Sequence, residues 1–212
     1  MTPGQASTPS ATPTPPADRA ATATATPTPS ATLTPSATLT TPAPPVVVLI
    51  GPPAAGKSSV GSLLASELDV PFADTDDLVA VAAGKPVSDI FIDDGEPVFR
   101  ELERAAVAHL LEAISPDGGV LALGSGAVLD PDVRRMLAGQ VIVYLEAGFA
   151  TVARRTGMDK PRVVIPGNPR GQLRAMLEER RPVYAELASI TVQTDDMAPE
   201  EVAADLAKRL RA

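Results

Sequence analysis

Gly51-Pro52-Pro53-Ala54-Ala55-Gly56-Lys57-Ser58 follows the apolar run at residues 46–50 and opens a segment with helical periodicity at 57–68. The string fits Gly-x4-Gly-Lys-Ser/Thr. A strand, a glycine-rich turn and a helix start in that order aim loop N–H groups and a helix N-terminus at one point, which suits a phosphate. Gly51 and Gly56 permit the backbone angles and close approach such a loop needs. Lys57 has the reach for β- and γ-phosphates, and Ser58 and Ser59 bring hydroxyls, that of Ser58 suited to Mg²⁺. The plain alternative is a strand-to-helix turn with no ligand.

Outward from this loop, short runs rich in Val and Ile alternate with helical patterns. Residues 46–50, 72–74, 120–123, 141–145 and 190–193 read as strands. Helical patterns are predicted at 57–68, 76–83, 97–114, 131–138, 149–156, 170–187 and 199–211. Alternating strands and helices imply an α/β fold, a parallel sheet with helices on both faces. Ligands of such sheets sit at the carboxyl ends of the strands.

Composition removes several functions. The 212 residues carry 18 Lys+Arg against 26 Asp+Glu, a net charge of −8, which argues against a nucleic-acid binder. With no cysteine and one histidine, His109, the chain has no disulfides, thiol catalysis or His-based metal cluster. No apolar run has the ~18 residues of a membrane span.

Eleven of the 23 prolines fall in residues 1–45, which are nearly all Thr, Pro, Ala and Ser, with Thr-Pro-Ser-Ala-Thr at 8–12, 28–32 and 34–38. Such a segment buries too little apolar area to offset its ordering entropy, so a disordered tail is expected at 1–45 and a folded domain at 46–212. The tail lacks the basic start and apolar core of a signal peptide, and a cytoplasmic protein is expected.

Four further features lie in order along the domain. Asp74-Thr75-Asp76 closes the second strand, where alternate side chains share a face; the two carboxylates suit either a metal and an acceptor hydroxyl or helix caps. Phe91-x3-Gly95-Glu96-x2-Phe99-Arg100-x2-Glu103 places Arg100 and Glu103 three apart on a helix, where they pair. Gly124-Ser125-Gly126 ends the third strand and offers N–H groups at the carboxyl edge. Arg162 lies in a stretch punctuated by Gly157, Pro161, Pro166 and Gly171, and Arg180-Arg181-Pro182-x-Tyr184 follows on a helix.

Together these residues resemble the shikimate kinase family, over essentially all of 46–212. The Phe-x3-Gly-Glu-x2-Phe-Arg-x2-Glu string is the specific part. The resemblance implies a five-stranded parallel sheet in order 2-3-1-4-5 with a mobile lid, like that of nucleoside monophosphate kinases. It implies transfer of the γ-phosphate of ATP to the 3-hydroxyl of shikimate, with ATP and Mg²⁺ as cofactors and a monomer that binds neither nucleic acid nor membrane. Lys57 and the loop from Gly51 to Ser59 would hold ATP, with Ser58 and Asp74 serving Mg²⁺. Asp76 would meet the acceptor hydroxyls and act as base. Arg100 and Arg180 would clamp the carboxylate, with Glu103 holding Arg100 and Gly124, Ser125 and Gly126 lining the pocket. Arg162 would be the lid arginine over the phosphates.

The chemistry of these residue types agrees. Phosphoryl transfer needs positioning and positive charge, which Lys57, Mg²⁺ and Arg162 supply. A carboxylate is best held by the planar fork of Arg. Three departures stand out: Ser125 takes the middle place of the family's usual Gly-Gly-Gly, Val163-Val164-Ile165 follows the lid arginine where the family often has Pro-Leu-Leu, and Thr194-Asp195-Asp196 stands where some members place an arginine near the adenine. That last segment, after the fifth strand, leaves adenine contacts to backbone or packing. Competing readings are a kinase for another hydroxy acid such as gluconate, a nucleotide-binding regulator without chemistry, and an adaptor working through its tail.

Overall fold

β1 (Val47–Ile50) sits at the centre of the sheet because every residue in it is buried and apolar, which only a strand covered on both faces can satisfy. A computed structural model describes residues 45–158 and 168–211. Strands β2 (Phe72–Asp74), β3 (Val120–Ala122), β4 (Val141–Glu146) and β5 (Ile190–Gln193) complete a sheet of order β2-β3-β1-β4-β5. All pairings are parallel, with Val47 opposite Val120 on one side and Val141 on the other. The residue pattern predicts the parallel sheet, and this strand order is the one that the family resemblance implies.

The helices cover both faces. Val47 and Leu49 point to one core with Val60 and Leu64 of α1 (Lys57–Leu68), Val152 of α6 (Phe149–Arg155) and Val202 and Leu206 of α8 (Pro199–Leu210). Val46, Val48 and Ile50 point to the other. There they meet Val107 and Leu111 of α4 (Glu96–Ile114), Val133 of α5 (Pro131–Met136) and Tyr184 of α7 (Pro169–Leu187). This alternation is the two-residue period of a strand, and each such side chain contributes about 1.5–3 kcal/mol by leaving water.

A third, smaller cluster joins the helices that follow β2. Val79 of α2 (Thr75–Ala83) and Ile90 of α3 (Val87–Asp93) pack on Phe99 and Ala106 of α4. Helix α3 is absent from the sequence-based expectation, since Val87-Ser-Asp-Ile-Phe-Ile-Asp93 is rich in residues that favour strands. Lys85 clips its far end, with its ammonium 3.0 Å from Asp93 and 2.6 Å from Asp94. Phe91 and Phe99 lie 4.3 Å apart between ring centroids, and Phe99 is core while Phe91 is exposed.

Two corrections concern the strand ends. Asp74-Thr75-Asp76 is not a strand continuing to alternate its faces, because Asp74 is the N-cap of α2 and accepts the Asp76 N–H at 2.9 Å. Helix therefore starts at Thr75 rather than at Asp76. A short 3-10 turn, Ala127–Leu129, follows Gly126 and was likewise unforeseen.

Two backbone angles shape the phosphate loop. Gly51 has φ +147°, and a Cβ there would stand 2.5 Å from the Leu145 carbonyl oxygen of β4. Ala54 has φ 56°, a left-handed conformation that an L-residue with a Cβ resists by about 1–2 kcal/mol. Ala54 is exposed, so Ala54→Gly is expected to raise stability by roughly 0.5–1 kcal/mol, net of glycine's greater freedom when unfolded. A urea midpoint that falls in this variant would show that the alanine conformation is not strained.

Candidate active site

The carboxyl ends of β1, β2 and β3 open into a cleft of about 570 Å³. The loop from Pro53 to Ser59 forms one wall, Asp74, Asp76 and Ser125 stand opposite, and Arg155, Thr194 and Met197 close the side. Of the expected acceptor residues, Asp76 and Ser125 share this space with the phosphate loop, while Arg100, Gly124, Gly126 and Arg180 are not part of its lining.

The Lys57 ammonium donates to the carbonyls of Gly51 and Pro52, both at 3.0 Å. Burial pulls its pKa down to about 8, against the opposing pull of Asp76 and Asp74. The lysine is therefore folded over its own loop, where an incoming phosphate would meet it. The Ser58 hydroxyl donates to Asp74 Oδ2 at 2.6 Å. A hydroxyl and a carboxylate so close form an oxygen donor set that suits Mg²⁺. Among the described residues no cluster of three or more His, Cys, Asp or Glu suits a metal, so any ion here would lean on phosphate and water for its remaining ligands.

Thr75 is fully buried and accepts the Gly124 N–H at 2.9 Å through its hydroxyl. This bond ties the start of α2 to the loop after β3 and brings Asp76 against Gly124. Burial and the neighbouring Asp74 push the Asp76 carboxyl above the usual aspartate range, while Lys57 pulls it back.

Arg100 is held on both sides. It donates to Glu103 Oε2 at 2.6 Å and to Glu96 Oε1 at 2.9 Å. Glu103 is 2 % exposed, and its Oε1 has no partner among the described residues. Burial raises its pKa and Arg100 opposes the rise. Arg180 reaches the same loop from α7, with Nη1 3.4 Å from Ser125 Oγ. One turn on, the Tyr184 hydroxyl donates to the Ser125 carbonyl at 2.5 Å.

The three loop residues differ in what they tolerate. A Cβ on Gly124 would collide with Glu103 Oε1 and lie 2.8 Å from Asp76 Oδ1, and one on Gly126 would lie 2.5 Å from Arg100 Nη1. None of the three has a positive φ. Gly124 and Gly126 are therefore small because carboxylates and a guanidinium press against their backbone. Ser125 between them carries a side chain without strain.

Arg155 was missed by sequence reasoning. It donates to the carbonyls of Ala54 at 3.1 Å and Thr194 at 2.7 Å, which joins the phosphate loop to the segment after β5. Its partners are all main-chain oxygens distant in sequence, which leave no trace in residue types; its place at the end of α6 was the only signal. Asp195 holds the Gly148 N–H at 2.8 Å, a support for that wall. Exposed His109 lies outside the site. Arg162, the Val163-Val164-Ile165 segment and the tail before residue 45 lie outside the described residues.

Known proteins point the same way. The shikimate kinase family model matches residues 53–211. The chain is 51 % identical to the shikimate kinase of Thermobifida fusca over 168 residues, 79 % of this chain and 96 % of that protein. It is 48 % identical to that of Salinispora arenicola, over 79 % of this chain and 99 % of that one. A solved shikimate kinase from Acinetobacter baumannii, in complex with shikimate, superposes with a TM-score of 0.70 at 30 % identity, covering 79 % of this chain and 93 % of that one. With a matching family model over most of its length and relatives near 50 % identity, the chain belongs to the shikimate kinase family.

Proposed function

We propose that this chain transfers the γ-phosphate of ATP to the 3-hydroxyl of shikimate through the residues gathered around the loop 124–126. As a member of a kinase family it is an enzyme that uses ATP. One observation carries the residue assignment: Arg100 and Arg180, 80 positions apart in sequence, abut the neighbouring residues Gly126 and Ser125, and Ser125 lines one cleft with Asp76 and Lys57. Two guanidiniums on one small loop suit a carboxylate.

In this reading Lys57 turns from its loop carbonyls to the β- and γ-phosphates, and the N–H groups of the loop and helix start after Pro53, up to Ser59, surround them. Asp76 orients the acceptor hydroxyl and takes its proton as that oxygen bonds to the γ-phosphorus, while the bond from that phosphorus to the β-phosphate oxygen breaks and ADP leaves. Arg100 and Arg180 hold the carboxylate, which fixes the ring so that one hydroxyl faces the phosphate. Gly124, Ser125 and Gly126 line the ring pocket. Mg²⁺, held by Ser58 and through Asp74, would neutralise charge on the phosphates when bound. Arg162 is assigned to the lid on the family resemblance alone. Arg155, bridging the loop and Thr194, flanks the space left for the base.

The catalytic domain spans 46–212, the tail at 1–45 takes no part in catalysis, and the protein acts on small molecules as a cytoplasmic monomer. The net charge of −8 supports the absence of a nucleic-acid partner. No described helix is long and apolar enough to cross a membrane.

The test is ADP release coupled to an indicator reaction, with shikimate and gluconate as rival acceptors. Shikimate is expected to exceed gluconate at least tenfold in kcat/KM. Equal turnover of the two would return the acceptor assignment to the wider class of hydroxy acids.

A further inference from the structure

We propose that the hydroxyl of Ser125 is a specificity determinant of the acceptor site, a third side-chain donor to the substrate carboxylate alongside Arg100 and Arg180. Ser125 has this role only if the acceptor is shikimate or a like carboxylate. Position 125 is the one place in the loop where a side chain fits, because a Cβ at Gly124 or Gly126 would strike Glu103 or Arg100. Its Oγ accepts from Arg180 Nη1 at 3.4 Å. A serine hydroxyl has a proton to donate as well, and among the described residues nothing accepts it. The residue is half-buried and lines the cleft it shares with Asp76 and Lys57. A hydroxyl that accepts from a guanidinium and has its own proton unspent is suited to the anion that the guanidinium binds. It also keeps Arg180 at the loop before the anion arrives, which lowers the ordering needed on binding.

The backbone supplies a control. Tyr184 grips the Ser125 carbonyl, not its side chain, so Ser125→Gly and Ser125→Ala retain the link between the loop and α7. Both are expected to raise the shikimate KM about three- to tenfold, the net worth of a single hydrogen bond at a half-exposed site. In both, kcat should stay within about twofold and the KM for ATP should not move. With an analogue whose carboxylate is reduced to an alcohol, wild type and variants should differ by less than about twofold. Unchanged shikimate KM in both variants would overturn the role of the hydroxyl, and so would an equal penalty with the alcohol analogue. A fall in kcat alone would assign Ser125 to loop geometry instead. If wild type fails to turn over shikimate at all, the acceptor assignment fails, which is a separate result.

Discussion

Replacing Asp76 by Asn is expected to lower kcat by a hundred- to ten-thousandfold, the range for losing a positioned general base. The shikimate KM should move by less than about tenfold, because Asn keeps the shape and can still hydrogen-bond a hydroxyl. Three features place the carboxylate: Asp74 caps the helix through the Asp76 N–H, buried Thr75 is tied to Gly124, and Gly124 lacks the Cβ that would push Asp76 away. Burial and Asp74 hold the carboxyl above the usual aspartate range, which makes it a better proton acceptor than an ordinary aspartate. Asp76 therefore takes up its proton at a higher pH than a free aspartate, so kcat/KM should fall on the acid side from a midpoint above that ordinary value. The residual rate of Asp76→Asn should lose this acid limb. A kcat within fivefold of wild type would take proton transfer away from Asp76.

Arg100→Ala and Arg180→Ala are each expected to raise the shikimate KM at least tenfold, with ATP binding near normal. Removing one donor leaves a partly buried carboxylate underpaired, at a cost of roughly 2–5 kcal/mol. Arg100→Lys should fail too. Arg100 spends donors on Glu96 and Glu103 at once while its face lies 5.3 Å from the Phe99 ring centroid. An ammonium lacks the planar fork needed to keep those partners and still meet a ligand. The alcohol analogue should be poor with wild type and little worse with either variant. Wild-type KM in both alanine variants would sink the clamp.

How much of this was legible in the sequence depends on where each constraint lies. The strands and the phosphate loop were read with boundaries within a residue or two, because burial on both faces and the glycine spacing are local, strong signals. The pairing of Arg100 with Glu103 was legible for the same reason, being three apart on one helix. Helix α3 was not. Its residues favour a strand, and what makes it a helix is Ile90 packing on α2 and α4 and the clip from Lys85, both tertiary. The partner of Ser125 and the bridge made by Arg155 were equally hidden, since each rests on contacts with residues far along the chain. Asp74 shows both outcomes: its residue type announced a cap or a metal site, and the fold uses it as the cap while leaving Oδ2 to Ser58.

The order of the sheet bears on how the enzyme comes into being at the ribosome. β1 is made first among the strands, yet its neighbours begin at Val120 and Val141. Gly51, the first residue of the phosphate loop, takes its shape against the Leu145 carbonyl. A nascent chain that has released the loop but not β4 therefore lacks the surface that moulds it. Such distant pairings delay folding, because a long loop must close before any contact rewards it. Nucleotide in the cell cannot stabilise the growing chain through this loop until β4 has emerged, and until then its most apolar strand must be shielded by other means.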